Sequence, residues 1–534
     1  MIEWISHNPL FGATRRRCLH IVGLAALLCA AAHGAELYSD GDTTIRWDNT
    51  LRYSMAFRLE PRYPIVAADP NNDDGDRNFA PGLISNRLDL VSVFDLTHGD
   101  TGIHASGSAW YDSVYFARTA NDSPATYNAV SVSNTQFPRA VRNLHGRYAG
   151  LDDAFAFGNF DIDGMGLSVR AGRQTLLWGE SLFFAENAIA AAQAPVDRIR
   201  DVSAPGSYSK EVFLPVTQIA LSLQPRPDWS INLYYQLEWR KSRQPGVGSY
   251  FSYYDGFDAG GERLIVAPGS YLYRVKDEHP PSGGQFGISL RATIDDVDLG
   301  FYVMRFHAKD PAIWLYPESN VDPSIGKRGE YQLFYPSGIE LYGVSFSTYL
   351  GDSSLAGEIS ARRHMPLVSL SPVTQYWNPQ VVYPTYGGFA AGDTLHGQVS
   401  SITQFGPAGL WDSAEFSVEA AANYRLAVTA NKAALDPTRD RFALSFRSVF
   451  EPRYFQVLPN LDISIPIGLG TNAIGRSSIE DAQYAGSGDI EIGIAGTYRS
   501  VWRASLTLTS YFGSSYRQPF ADRDFVLVSV ERTF

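Results

Sequence analysis

Beyond residue 34 the chain contains no cysteine, because its two cysteines, Cys18 and Cys29, both lie upstream. A disulfide framework is excluded there, so rigidity must come from hydrogen-bonded structure. No later apolar run reaches the roughly 18–20 residues that a membrane helix requires. Positive charge is also short: 44 Lys and Arg face 56 Asp and Glu, a net −12. That balance excludes a strongly basic nucleic-acid surface. His-Glu-x-x-His, Gly-x-Ser-x-Gly and P-loop patterns are missing, so neither catalysis nor a cofactor is signalled.

What is present begins with an address. Arg15, Arg16 and Arg17 precede an apolar stretch over 19–32, and Ala32-His33-Gly34 makes a small-x-small cleavage site. This order reads as a secretory signal peptide over 1–34, leaving 35–534 as one domain. Cys29 does not suit a lipoprotein anchor, since bulky Leu28 precedes it. Residues 1–34 carry Glu3 and three arginines, +2, so the remainder is −12 − 2 = −14.

That remainder alternates between short and long joints. Strand-like segments are expected at 43–58, 84–97, 102–116, 153–160, 165–177, 212–224, 229–240, 285–294, 297–307, 338–350, 354–364, 395–405, 411–428, 441–450, 455–467, 489–498, 501–512 and 523–534, with 141–149 as a candidate extension of the fourth. Many alternate strictly. Ile231, Leu233, Tyr235, Leu237 and Trp239 share one face, while Asn232, Tyr234, Gln236, Glu238 and Arg240 share the other. A soluble sandwich gives the same alternation, but ten to fourteen residues suits a tilted membrane strand. The terminus favours the membrane: Val526, Val528 and Val530 lie in phase with terminal Phe534, and only Arg532 interrupts that face. An Arg there costs little if it sits at the membrane interface. The expected fold is all-β, an antiparallel transmembrane barrel of about 18 strands, with 16 as the alternative, long extracellular loops and one loop folded inward. Its partners would be outer-membrane lipid and the barrel assembly machinery of a Gram-negative bacterium.

Several separated motifs carry a resemblance. They are Arg46-Trp47-Asp48-Asn49-Thr50, Asn86-Arg87-Leu88-Asp89, Gly172-Arg173-Gln174, Trp178-Gly179-Glu180-Ser181, Lys210-Glu211, Phe213-Leu214-Pro215-Val216 and Asp522-Arg523-Asp524-Phe525. With these the chain resembles the proteobacterial family called domain of unknown function thirteen-oh-two. The resemblance implies an outer-membrane barrel, with a periplasmic lipoprotein-fold partner and hydrophobe-handling inner-membrane exporters often encoded nearby. It assigns no catalytic or ligand residues. The ending Glu531-Arg532-Thr533-Phe534 is less hydrophobic than the family's usual one.

The loop 178–211 is the most unusual segment. Leu182, Phe183, Phe184, Ala185 and the run Ala188 to Ala192 form an apolar stretch, followed by Asp197, Arg198, Arg200 and Asp201. Such a stretch is poorly solvated outside a cell, so it is expected to fold inward as a constriction, with an external cap as the alternative. The constriction or solute-binding candidates are Trp178, Glu180, Phe183, Phe184, Asp197, Arg198, Arg200, Glu238 and Arg240. The charged members after residue 196 are expected to pair with Glu238 and Arg240 across the lumen.

Aromatic clusters mark other long loops: Tyr250, Phe251, Tyr253, Tyr254 and Phe257; Trp314 and Tyr316; Tyr376, Trp377, Tyr383, Tyr386 and Phe389. They suit either a solute at the mouth or an interfacial girdle. Asp69, Asn71, Asp73, Asp74 and Asp76 hint at a calcium loop, but Gly75 comes one place late and position twelve is Ala80. A solvated acidic loop is the better reading, so no metal is expected. Lumen charges of mixed sign, including Arg291, Arg362, Glu358 and Glu419, do not form a single-sign selectivity ring. The expected function is gated passive passage of a small hydrophobic or amphipathic solute. A general porin for polar solutes is the alternative; an outer-membrane hydrolase and a structural or assembly barrel follow.

Overall fold

The computed structural model describes residues 35–203, 209–370, 373–374 and 388–534. The expected signal peptide and Tyr376, Trp377, Tyr383 and Tyr386 lie outside them. Twenty segments pair edge to edge into one antiparallel sheet that returns to its own beginning. One segment, Ala35–Ser39, is a hairpin arm on the first strand, and two others are halves of one strand, so eighteen strands close the barrel. In chain order these are Thr43–Arg58 (β1), Gly82–His98 (β2), Thr101–Asp112 (β3), Arg147–Ile162 (β4), Met165–Gln174 (β5) and Val216–Arg226 (β6). Trp229–Gln236 (β7), Gln285–Ile294 (β8), Val297–Phe306 (β9), Ile339–Leu350 (β10), Ser353–Pro366 (β11) and Ala391–Phe405 (β12) follow. Ser413–Ala430 (β13), Phe442–Leu458 (β14), Leu461–Ser464 with Ile467–Ile474 (β15), Ser487–Tyr498 (β16), Trp502–Phe512 (β17) and Phe525–Thr533 (β18) complete it. The eighteen-strand count holds, and 16 is excluded.

Alternation sets the two faces, because successive side chains of a strand point to opposite sides. On β7, Ile231, Leu233 and Tyr235 are exposed on the outside, while Tyr234 and Gln236 are buried inside. Exposed Ile288, Phe301, Val303, Val344, Ile359 and Val399 continue the apolar exterior over neighbouring strands. Tight turns reverse the chain at one end. In Asp163-Gly164 both residues have positive φ, 52° and 80°, as a type I′ hairpin turn demands. Asp161 stabilises it by accepting the Gly164 N–H at 3.0 Å. Thr43, at the start of β1, and Thr533, at the end of β18, both lie towards this short-turn end.

Several boundaries differ from expectation. The strand expected to reach 116 stops at Asp112, whose carboxylate accepts the Val114 and Asn86 N–H groups and starts a short helical turn. The fourth strand is twice its expected length, beginning at Arg147 after a helical segment over 139–146. Strands expected to reach 177 and 240 stop at Gln174 and Gln236, and residues 212–215 belong to the inward loop rather than to β6. The joint expected at 451–453 lies instead at 459–460. Pro452 stays within β14, lacking an N–H to leave unpaired, while its carbonyl accepts the Ile465 N–H at 3.0 Å.

At the opposite end the long loops build their own layer. Arg263–Ala267, Ser270–Arg274, Ala312–Asp322, Lys327–Phe334 and Val373–Thr374 form a separate five-stranded sheet from three different loops. Its aromatics are packed rather than presented. Trp314 stacks on Phe334 at 4.2 Å, and Trp314, Tyr316 and Phe389 are all buried. Tyr250 packs edge-on to Phe79 and Phe251. These described aromatics form the core of the loop layer, neither open faces at a mouth nor a girdle. The acidic loop also departs from expectation: Asp73, Asp74 and Asp76 have no exposure, so this is not a solvated loop.

Candidate functional site: a loop clasped inside the barrel

Between β5 and β6 the described residues, 175–203 and 209–215, leave the barrel rim, and the first of these stretches crosses the interior. Extended or irregular backbone buried in this way carries N–H and C=O groups that need partners. The far wall supplies them. Glu358, on the inward face of β11, accepts the N–H groups of Glu180 at 2.6 Å and Ile189 at 2.7 Å. Glu419, on the inward face of β13, accepts those of Leu182 at 3.0 Å, Phe183 at 2.5 Å and Phe184 at 3.0 Å. Hydrogen bonds to an ionised acceptor are roughly twice as strong as neutral ones.

The opposite polarity is met two repeats of the alternation away. Arg362, four residues beyond Glu358 and therefore on the same face, donates to the carbonyls of Glu186, Asn187 and Ala188 at 3.2, 2.6 and 2.9 Å. Asn187 in turn reaches Gln398 and the carbonyls of Gly397 and Ala422, and its Oδ1 lies 2.9 Å from His396 Nδ1. Lys309 donates to the carbonyls of Ala191 and Ala192. Gln236 donates to that of Gln193.

The apolar stretch completes the seal. Ala188, Ile189 and Ala192 are fully buried; Ile189 and Ala192 join the inward-facing Tyr234, Tyr302, Met304 and Leu341 in one cluster. A Cβ added to Gly343 would lie 2.8 Å from the Ile189 side chain, so the glycine of β10 lets the loop press closely on the wall. Ala185, Ala190, Ala194, Val196, Val212 and Phe213 form a second cluster that packs the loop on itself.

Of the nine candidates, four come together. Trp178 lies edge-on to Tyr234 with centroids 5.1 Å apart, and Glu180 pairs with Arg291 of β8 at 3.0 Å. Burial raises the Glu180 carboxyl above its ordinary pKa, against the pull of Arg291. Phe183 and Phe184 contribute their backbone to the Glu419 clasp. The expected cross-lumen pairing of the later charges does not form. Asp197 pairs with Arg243 at 2.7 Å, Arg198 with Glu186 and Asp310, and Arg200 with Glu211 of the same loop. Glu238 instead accepts from the Thr217 backbone and hydroxyl, and Arg240 donates to the Pro215 carbonyl. These two brace the loop's exit, because β7 ends at Gln236 and leaves them on the rim.

The wall residues Glu358, Arg362 and Glu419 were visible as lumen charges but not as a clasp. Their signal is an isolated charge on an inward face otherwise made of small residues, such as Ser354, Ala356 and Ser360 on β11. Asn187, His396, Gln398 and Lys309 carry no such signal.

The family model described as a protein of unknown function (DUF1302) matches residues 16–534. The chain belongs to that family. Among curated proteins nothing matches it. Solved structures similar to this DUF1302 chain include OccAB1 of Acinetobacter baumannii, at 11% identity over 95% of this chain and 99% of that one, TM-score 0.45. OpdK of Pseudomonas aeruginosa, solved with vanillate, is similar at 10% identity over 92% and 98%, TM-score 0.38. OccK8 (OprE) of Pseudomonas aeruginosa is similar at 12% identity over 92% and 98%, TM-score 0.39.

Proposed function

We propose that this barrel is an outer-membrane channel for small amphipathic solutes, narrowed by the clasped loop and working by passive diffusion. The apolar exterior supports lipid around the wall, and the sorting of short and long joints supports an extracellular loop layer. The observation that carries the reading is the clasp itself: five loop N–H groups held by Glu358 and Glu419 across the lumen. A lumen of eighteen strands is otherwise open, and a loop so held sets its bore. On that loop Trp178 packs edge-on against Tyr234 and, two residues on, Glu180 pairs with Arg291, a combination that suits a solute with an apolar body and a charged end.

One observation favours the polar-solute alternative. Asp95, His104, Phe155, Phe157, Asn159 and Arg170 line a recess of about 220 Å³ towards the short-turn end, and four of them are polar. Planar-bilayer conductance and liposome uptake of paired aromatic acids and neutral sugars separate the two. Deleting residues 182–194 should raise conductance severalfold while the barrel keeps its heat-modifiable mobility. Unchanged conductance would overturn the constriction, and sugar uptake equal to that of the aromatic acids would favour the general porin.

A further inference from the structure

The acidic segment after β1 has a partner far away in sequence. Asp73 and Asp74 meet Asp255, from the loop between β7 and β8, with one carboxylate oxygen from each lying within 4.8 Å of the others. All three side chains have no exposure. Two arginines approach them: Arg77 donates to Asp73 at 2.5 Å, and Arg523 acts on Asp255 from further off. Three carboxylates against two guanidiniums leave a buried net negative charge, which is costly unless something neutralises it.

The hydrogen-bond inventory indicates where that something sits. Asp74 is served by N–H groups only, from Asn128 at 3.0 Å and the Asn121 side chain at 3.4 Å. Asp255 receives the Asp74 N–H at 3.2 Å through one oxygen. The other oxygen of Asp255 and one oxygen of Asp73 are buried without any hydrogen-bond partner. Beside them Asn128 Oδ1 is a further buried acceptor without a hydrogen-bond partner, and the hydroxyls of Ser249 and Ser252, which can donate or accept, are buried and unpartnered as well. Ser249 and Ser252 are close neighbours, since a Cβ on Gly75 would stand 2.8 Å from the Ser249 carbonyl and closer still to that of Ser252. Buried polar atoms rarely go unsatisfied, and several in one place point to an absent electropositive group.

We propose that Asp73, Asp74 and Asp255 bind a divalent cation, Ca²⁺ by its preference for a flexible all-oxygen shell, and that the ion staples the 59–81 loop to the 237–284 loop. Hard carboxylate and neutral oxygen donors of this kind, with no nitrogen or sulfur among them, suit Ca²⁺ better than a transition metal. The third loop, 113–146, is drawn in through Asn121 and Asn128. Affinity in the range of extracellular modules, Kd of about 10⁻⁴ to 10⁻³ M, would suffice outside a cell. The competing occupant is the proton: burial raises the Asp74 carboxyl well above its usual range and takes Asp255 to about 8.

Titration calorimetry of the purified full chain in detergent, with CaCl₂ and then MgCl₂, tests this. One Ca²⁺ per chain is expected, lost in Asp73→Asn and Asp255→Asn and kept in Asp122→Asn, whose carboxylate is exposed. With Ca²⁺ tenfold above its Kd, protease cleavage in 59–81 should slow about tenfold relative to chelator-treated protein. Heat-modifiable mobility checks that each variant retains its barrel, and the proteolysis arm needs no variant. No calcium binding by the parent chain, full binding by Asp255→Asn, or a loop equally resistant in chelator would overturn the site; the last would leave protonated carboxyls as its occupants.

Discussion

Asn49 and Phe534 exchange both of their backbone hydrogen bonds, each at 2.8 Å, so the last residue of the chain is a closing stitch between β18 and β1. Thr533 and Thr50 are paired beside it, with their hydroxyls 3.0 Å apart. Arg532, which interrupts the apolar face of β18, lies over the Trp502 ring at 5.1 Å from its centroid. Its charge is accommodated at the short-turn rim by that aromatic face.

Deleting Phe534 should therefore lower the yield of closed barrel, because both stitch bonds and the terminal aromatic are lost together. Heat-modifiable electrophoresis of membrane fractions reads this directly, and the deleted chain should accumulate in a protease-sensitive form. Parent-level folded barrel would show that closure is complete by Thr533.

Tags placed at the two ends should report orientation. Gly269 and Gly99 are both turn glycines with open space around them, the first in the loop sheet and the second between β2 and β3. A tag after Gly269 should be labelled on intact cells and one after Gly99 only after permeabilisation. The reverse pattern would invert the barrel. Gly75, although in a long loop, is buried and is a poor insertion site.

Replacing both clasp carboxylates by Glu358→Gln and Glu419→Gln should free the inward loop without opening the barrel. Each charge-assisted bond is worth about 1.5–3 kcal/mol, and the amides retain only part of it. Single-channel records should show larger and noisier conductance than the parent. Quiet records at parental conductance would show that apolar packing around Ile189 holds the loop by itself.

Arg58→Ala should destabilise the loop layer rather than the wall. Arg58 is fully buried and bonds Asp76 at 2.6 Å and Asp522 at 3.1 Å. Its removal leaves two buried carboxylates unpaired, a loss of about 3–5 kcal/mol. Hydrogen exchange should accelerate across residues 59–81 while β1 to β18 stay protected.

Sequence alone carried the wall well, because the period-two pattern and the turn chemistry of residues such as Asp163-Gly164 are local signals. It failed where a strand's end is set by something remote. Gln174 ends its strand because the chain between β5 and β6 turns inward to partners on β11 and β13, which no window around residue 174 contains. The same holds for Asp73 and Asp74: a run of acidic residues reads as solvated until Asp255, nearly two hundred positions later, is folded onto it. Within the inward loop, the apolar stretch announced its burial, but the charges after it found nearer partners than Glu238 and Arg240.

The clasp also dictates an order of events. Glu180 waits for a carboxylate 178 residues downstream, and Leu182 for one 237 residues downstream. Until β11 and β13 are in the wall, the segment between β5 and β6 lacks its carboxylate clasp and has only partners from earlier strands and loops, such as Tyr234, Gln236 and Arg291. On the function proposed above, a barrel assembled only that far would carry a wider passage than the finished one, and the bore would narrow as the later strands arrive. Chains stalled midway through insertion would then conduct more freely than complete ones, which would make their swift clearance an advantage.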